Sequence, residues 1–270
     1  MNKILFTDLD GTLLNNYSLI SQNMKIALDL LIQSGNKLVL SSGRPLDSII
    51  DVAKKASILY PGIYIIANNG SLIYDYDKNI NILEKRVTFD DVMITWELAR
   101  EANIHIQTYT DSSIITGNED PEIAFYRKKV HLPLILSDSP ITVMDKPPFK
   151  LLAIDLYEKK HLISFSDALL NKYSDKLSTV FSNDHYLEIF SSEAGKGNAS
   201  KYLCDYLNIS IANSFAAGDA LNDLSMLKAA GRSVAMCNGD PQLLRQADII
   251  SSKSNNEDGL ADIIRKYLID

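Results

Sequence analysis

Asp8 and Asp10 stand two residues apart, where the short apolar run Lys3-Ile-Leu-Phe-Thr7 gives way to Leu9-Asp10-Gly11-Thr12. Such a run reads as a buried strand, and in an open α/β sheet ligands gather beyond the carboxyl ends of strands. Residues two apart on an extended strand share a side, so the two carboxylates can converge. Paired carboxylates can divide labour, one attacking as an ionised nucleophile while the other shuttles a proton. An Asp-Gly turn closing a strand would explain the dipeptide alone without any chemistry, but the other strand ends argue against that account. Ser41-Ser42-Gly43-Arg44 follows a second apolar run, and a hydroxyl with backbone N–H groups entering a helix makes an anion site. Gly218-Asp219-Ala-Leu-Asn222-Asp223 follows a third and brings Asp219 and Asp223 to the same edge. Four converging carboxylates repel one another and any phosphate unless a hard cation sits among them. Mg2+ fits, since it takes oxygen ligands and binds through one or two carboxylates together with substrate phosphate. Lys196 offers the positive side chain that phosphoryl charge requires.

These residues need elements to hold them. Ser21 reads as an N-cap, Met24, Ala27, Leu28 and Leu31 recur at helical spacing, and Gly35 stands where a helix ends left-handed. Lys37–Ser41 and Ile63–Ala67 read as further strands, the latter closed by an Asn68-Asn69-Gly70 turn, and Pro45 opens a helix between them. The rhythm resumes late in the chain: a helix over Gly197–Leu207, a strand over Ser214–Ala217, a helix over Asn222–Ala230, a strand over Ser233–Met236, and a helix opened by Pro241. This alternation predicts a Rossmann-like α/β core with a parallel sheet covered by helices on both faces. Between the halves the texture changes to amphipathic helices (Asp90–Ala102, His161–Tyr173) and alternating strands (Ile104–Thr110, Lys150–Leu156), broken by Pro133, Pro140, Pro147 and Pro148. The pattern predicts an α+β cap domain over 83–184, inserted into a core made of 1–82 and 185–270.

Composition narrows the function classes. The 270 residues are 46% hydrophobic and 23% charged, an ordinary globular mixture that excludes disordered and collagen-like classes. Lys and Arg number 27 against 34 Asp and Glu, for a net charge of -7, which argues against a broad nucleic-acid or anionic-membrane surface. Cys204 and Cys237 are far apart and form no C-x-x-C pair, so neither a disulfide framework nor a cysteine zinc site is supported. No signal-peptide pattern and no membrane-length apolar run stand in the sequence, so a cytoplasmic location is expected and the Asn-x-Ser triplets at Asn16, Asn198 and Asn208 read as chance.

Taken together, the motifs resemble the haloacid dehalogenase-like superfamily of phosphatases, in its Cof-type branch. Asp8-Leu-Asp10-Gly-Thr12 matches the first motif, Ser42-Gly43-Arg44 the second (with Ser where Thr is commoner), Lys196 the third and Gly218-Asp219-x-x-Asn222-Asp223 the fourth. The tail is similar from Met226–Gly231 and Val234–Met236 through Ala247-Asp248 to Asn256–Gly259. Over the inserted segment the likeness is one of position and size. The resemblance implies that Asp8 attacks phosphorus to form an aspartyl-phosphate and that Asp10 protonates the leaving alcohol, then activates water. It implies Mg2+ held by Asp8, the backbone carbonyl of Asp10 and Asp219, with Asp223 in support. Ser42, the backbone amides of Leu9 and Gly43, Lys196 and Asn222 would bind phosphate oxygens. The implied substrate is a small phosphorylated metabolite, a sugar phosphate or cofactor phosphate.

Rival patterns are weaker. Gly195-Lys-Gly197-Asn-Ala-Ser200 begins like a dinucleotide fingerprint, but Ser200 stands where Gly or Ala belongs. His105, His131, His161 and His185 lack metal-ligand spacing, and Arg127-Lys-Lys129 reads as a solvated helix face. Two other functions fit the motifs: a phosphomutase that passes the same phosphoryl group to another hydroxyl, and a phosphometabolite-binding regulator without turnover. The paired Asp8 and Asp10 count against the regulator, which needs no nucleophile.

Overall fold

The computed structural model describes residues 2–269, which divide into two compact units: one ends at Glu84 and resumes at Gly195, the other is Lys85–Ala194. In the first unit β1 (Ile4–Thr7), α1 (Gln22–Gln33), β2 (Lys37–Ser41), α2 (Leu46–Lys55), β3 (Tyr64–Ala67), β4 (Leu72–Asp75) and β5 (Ile80–Glu84) follow one another. The second unit holds α3 (Phe89–Glu101), β6 (His105–Tyr109), β7 (Ile114–Thr116), α4 (Pro121–Tyr126), β8 (Leu134–Leu136), β9 (Lys150–Ile154), α5 (Lys159–Tyr173), β10 (Leu177–Asn183) and β11 (Tyr186–Ser191). The first unit is completed by α6 (Lys196–Tyr206), β12 (Ser214–Gly218), α7 (Leu224–Ala229), β13 (Arg232–Ala235), α8 (Pro241–Leu244), β14 (Ile249–Ile250) and α9 (Gly259–Tyr267).

The first sheet has the order β14-β13-β12-β1-β2-β3-β4-β5. All four residues of β1 are buried, as an apolar run at the centre of a helix-covered sheet must be. Its neighbours β2 and β12 are both parallel to it, with Phe6 level with Val39 on one side and Ala216 on the other. Strands added before the insertion extend to one side of β1 and those after it to the other. The switch point therefore falls where Asp8 and Asp219 leave β1 and β12. Local signals position the helices. Ser21 Oγ accepts the Met24 N–H at 3.0 Å, Met24, Ala27, Leu28 and Leu31 are buried, and Gly35 has φ +77. Pro45 is the N-cap of α2, one residue outside the first turn.

Three expectations are corrected. The sheet is not wholly parallel: after the tight turn at Asn68–Gly70 the chain reverses, and β4 and β5 pair antiparallel, since three residues cannot make the crossover that parallel strands need. The segment Asn222–Ala230 is a 3-10 turn over Leu221–Asp223 leading into the shorter α7. The inserted unit ends at Ala194 rather than 184, because β11 bonds antiparallel to β10 and β9 and so belongs to the second sheet.

That second sheet runs β10-β11-β9-β6-β7-β8, antiparallel except for the β7–β8 pair. Val92, Trp96 and Ala99 of α3 and Leu162, Phe165 and Leu169 of α5 share a core with Ile106, Leu151, Ala153, Leu187 and Ile189 from alternate strand positions, the period-2 burial of a sheet with one face packed on helices. Among the described residues no helix is long and apolar enough to cross a membrane.

Candidate active site

The Asp8 N–H donates to the Ala217 carbonyl at 2.9 Å, carrying the β1–β12 pairing one residue past the strand end. This holds Asp8 buried at the sheet edge. Beyond it the chain turns back, with the Leu14 N–H on the Leu9 carbonyl at 2.8 Å. Gly11 permits the turn: its φ is +78, and a Cβ there would stand 2.3 Å from Asp219 Oδ2. Thr12 Oγ1 then donates to Asp219 Oδ1 at 2.8 Å. The glycine and the threonine of the first motif thus seat Asp219, a role their sequence positions do not disclose.

Lys196 opens α6 and is only 1% exposed. Its Nζ lies 2.6 Å from Asp8 Oδ1 and 2.5 Å from Asp223 Oδ1. The other Asp223 oxygen accepts the N–H groups of Asp219 and Ala220, each at 3.1 Å. Both oxygens of Asp223 are therefore committed, so this residue braces the cluster from behind. Burial works against the Lys196 charge, but the carboxylates of Asp223 and Asp8 outweigh it and hold the ammonium above its ordinary value. Burial likewise pushes Asp8 well above the usual carboxylate range, with Lys196 opposing and Asp223 and Asp219 adding repulsion. Asp219 is raised to about 6, first by burial and then by Asp223, against the hydrogen bond from Thr12.

Three acids against one ammonium leave negative charge unbalanced in a buried place. Asp8, Asp219 and Asp223 each offer a ligand atom, all within 4.8 Å of one another. Oxygen donors this dense, in a site that raises their proton affinity, suit a hard divalent cation. No histidine joins this group. The carboxylate of Asp10 also lies outside it, bound in a fork by Arg44: Nε to Oδ2 at 2.7 Å and Nη2 to Oδ1 at 2.6 Å. Because β1 stops at Thr7, strand alternation does not extend to Asp10.

The groups expected to meet phosphate all lie in the first unit. Ser42 is buried, its N–H on the Ile66 carbonyl at 2.9 Å and its Oγ accepting the Arg44 N–H at 3.3 Å. Gly43 faces Asn69, whose Oδ1 would be 2.9 Å from a Cβ at that position. Asn222 is half-buried and donates through Nδ2 to Asn69 Oδ1 at 3.4 Å. The Leu9 side chain is fully buried, so only its backbone can serve a ligand. Sequence reasoning assigned no task to Gly11, Thr12, Arg44 or Asn69. The first three sit inside quoted motifs, and only neighbours distant in sequence reveal what they do.

The rival patterns receive structural accounts. Gly197 is glycine because a Cβ would fall 2.3 Å from the Ser225 carbonyl oxygen where α6 meets α7, and β11 before it belongs to the second sheet, so no dinucleotide fingerprint forms. His105 pairs with Asp120 at 2.7 Å and His161 with Asp155 at 2.9 Å, both within the second unit. Arg127 and Lys128 line a cavity of about 430 Å³ with Glu119, Asp120 and Leu134, wholly inside that unit.

The family model for haloacid dehalogenase-like hydrolases matches residues 5–264. The chain is 31% identical over 271 residues to YxeH of Bacillus subtilis, covering 100% of this chain and 99% of that one. It is 27% identical over 270 residues to the Bacillus subtilis protein named 5-amino-6-(5-phospho-D-ribitylamino)uracil phosphatase YcsE, covering 99% and 96%. A solved haloacid dehalogenase-like hydrolase from Bacteroides thetaiotaomicron superposes with a TM-score of 0.82 at 28% identity, covering 98% of this chain and 99% of that one. With the motif residues gathered at one sheet edge and a family match over almost its whole length, this chain belongs to the haloacid dehalogenase-like hydrolases.

Proposed function

We propose that this protein is a Mg2+-dependent phosphomonoesterase that hydrolyses a small phosphorylated metabolite through an aspartyl-phosphate. The observation that carries the reading is the buried Asp8–Lys196–Asp223 arrangement beside Asp219, which supplies a positioned carboxylate, a fixed positive charge and oxygen donors for a cation. The name of YcsE, a phosphatase of a phosphorylated ribitylamino compound, supports a small-metabolite substrate.

An Asp8 oxygen forms a bond to phosphorus while the bond to the leaving alcohol oxygen breaks. Asp10 gives that oxygen a proton, then takes one from the water that cleaves the aspartyl-phosphate. For either task Asp10 must leave Arg44. Their pair is half-exposed, with side chains 30% and 52% accessible, so water competes for both partners and weakens the fork. Lys196, Ser42, Asn222 and the amides of Leu9 and Gly43 hold the phosphoryl oxygens, which is most of what phosphoryl transfer asks of a protein. Mg2+ held by Asp8, the Asp10 carbonyl and Asp219, with Asp223 behind, would neutralise developing phosphoryl charge when bound. These groups see only the phosphoryl end that every monoester shares, so we assign discrimination among leaving groups to the inserted unit.

The test is Asp8→Asn in full-length protein with Mg2+, assayed for phosphate release across a phosphometabolite panel. The amide keeps the side chain's size and loses the nucleophile. Turnover should fall far more than tenfold, and a folded variant within about tenfold of wild type, less than ~1.4 kcal/mol of barrier, would remove Asp8 from the chemistry. Phosphate release equal to substrate loss separates hydrolysis from mutase chemistry.

A further inference from the structure

The turn Asn68-Asn69-Gly70 belongs to none of the four motifs, yet it touches three of them. Its backbone has φ of +50, +54 and +95 at successive residues. Two consecutive non-glycine residues in the left-handed region are costly even for asparagine, and strain of this kind gathers at functional sites. Asn68 and Asn69 are nevertheless buried. The Asn68 N–H donates to the Arg44 carbonyl at 3.0 Å and the Asn69 N–H to the Ser42 carbonyl at 3.1 Å, so the turn grips the second motif from both sides of Gly43. A Cβ on Gly70 would lie 2.3 Å from the Gly195 carbonyl and 2.7 Å from the Lys196 nitrogen. That close approach packs the turn against the backbone that starts α6 and carries Lys196. The Asn69 carboxamide, finally, receives Asn222 Nδ2 from the fourth motif at 3.4 Å.

We infer that Asn69 is a positioning residue of the phosphate site, setting both the 42–44 loop and the orientation of Asn222; this rests on the phosphatase reading above. A carboxamide has a donor end and an acceptor end. With one Nδ2 hydrogen held by Asn69 Oδ1, Asn222 keeps its second N–H for an anion oxygen. Flipped, it would present an acceptor to the phosphate and repel it. The same Asn69 oxygen packs on Gly43, so the backbone amide there and the amide of Asn222 are registered by a single side chain.

The experiment uses full-length wild type, Asn69→Gly, Asn69→Asp, Asn222→Ala and the Asn69→Gly/Asn222→Ala double variant, all with Mg2+. Inorganic phosphate is the probe, read as a competitive inhibition constant beside KM, kcat and Tm. Glycine keeps the left-handed backbone and deletes only the carboxamide, so Asn69→Gly should keep its Tm within a few degrees. It should weaken phosphate binding about three- to tenfold, the loss of one hydrogen bond. KM should rise by a similar factor while kcat changes less. Because part of the Asn69 effect passes through Asn222, the double variant should lose less than the sum of the two single losses, a non-additivity that independent defects would not produce. Asn69→Asp keeps the acceptor but adds charge beside the anion, so its phosphate constant should rise at least as far. An inhibition constant within about twofold of wild type in folded Asn69→Gly, or fully additive losses, overturns the inference. Should Asn69→Gly not fold, an unchanged constant in Asn69→Asp overturns it equally. If wild type neither releases nor binds phosphate, the phosphatase reading fails and this inference with it. If wild type binds phosphate and the variants bind it as well, the inference alone fails.

Discussion

Asp219→Asn should stabilise the metal-free protein, and do so more at neutral pH than in acid. Asn keeps the shape of the side chain and an oxygen to accept the Thr12 hydroxyl, and removes one of three crowded acids. Burial first, and then the charge of Asp223, raises the Asp219 carboxyl from its ordinary 3.8 to about 6. A folded-state value above the unfolded one means that the native state binds this proton more tightly. Between about pH 4 and pH 6 the native protein therefore holds more protons here than the unfolded chain, and stability falls as pH rises through that window. Above it the ionised carboxylate costs the fold on the order of 3 kcal/mol, from roughly two units at 1.36 kcal/mol each. The assay is urea unfolding of wild type and variant in chelator across about pH 4 to pH 7, taking the difference between the two so that titrating groups distant from the cluster cancel, while relief of Asp8 from the Asp219 charge adds to the same trend. The variant's advantage should grow by about 2–3 kcal/mol toward neutral pH. Saturating Mg2+ should shrink or reverse it, because a ligand that binds only the folded wild type stabilises that protein alone. A difference flat within about 0.5 kcal/mol across the range would refute the buried, mutually repelling cluster.

Exhaustive chelation should abolish turnover, Mg2+ should restore it, and Ca2+ should restore it poorly because it prefers more ligands at longer distances; phosphate release with each ion reads this out, and full activity in chelator would rule the cation out. Asp10→Asn should slow alkyl phosphates much more than nitrophenyl phosphate, whose leaving group hardly needs a proton, and equal defects in pre-steady-state bursts would leave Asp10 a structural partner of Arg44. Gly11→Ala should destabilise the fold by more than about 1 kcal/mol, since a Cβ is strained at positive φ and would stand 2.3 Å from Asp219 Oδ2. Chemical denaturation that finds this variant as stable as wild type would show that the turn relaxes freely.

Much of the core was legible because its signals are local. The apolar runs at Ile4–Thr7 and Lys37–Ser41 became buried strands. Ser21 caps α1 and Gly35 ends it left-handed, because capping and positive φ depend on a few adjacent bonds. The first, second and fourth motifs could also be located, since each follows an apolar run and β1 and β12 lie side by side in the sheet. What tertiary structure decided was partnership. Tyr186–Ser191 falls within the stretch expected to belong to the core, and its pairing with β9 and β10 put it in the inserted unit. The spacing of Asp8 and Asp10 suggested convergence, but Arg44, 34 positions further on, holds Asp10, while Lys196, 188 positions from Asp8, joins Asp8 to Asp223. Asn69 read as a turn residue because its left-handed backbone is a local preference; its contact with Asn222 spans 153 positions. By itself the sequence determined several strands and helices of the core and which residues can do chemistry, since periodicity and residue type are carried in neighbouring positions. Which carboxylate is buried with the ammonium, which is held by the guanidinium, and which turn touches both the second and the fourth motif were decided only when chain segments far apart in sequence packed together, because desolvation and charge pairing depend on distances in space.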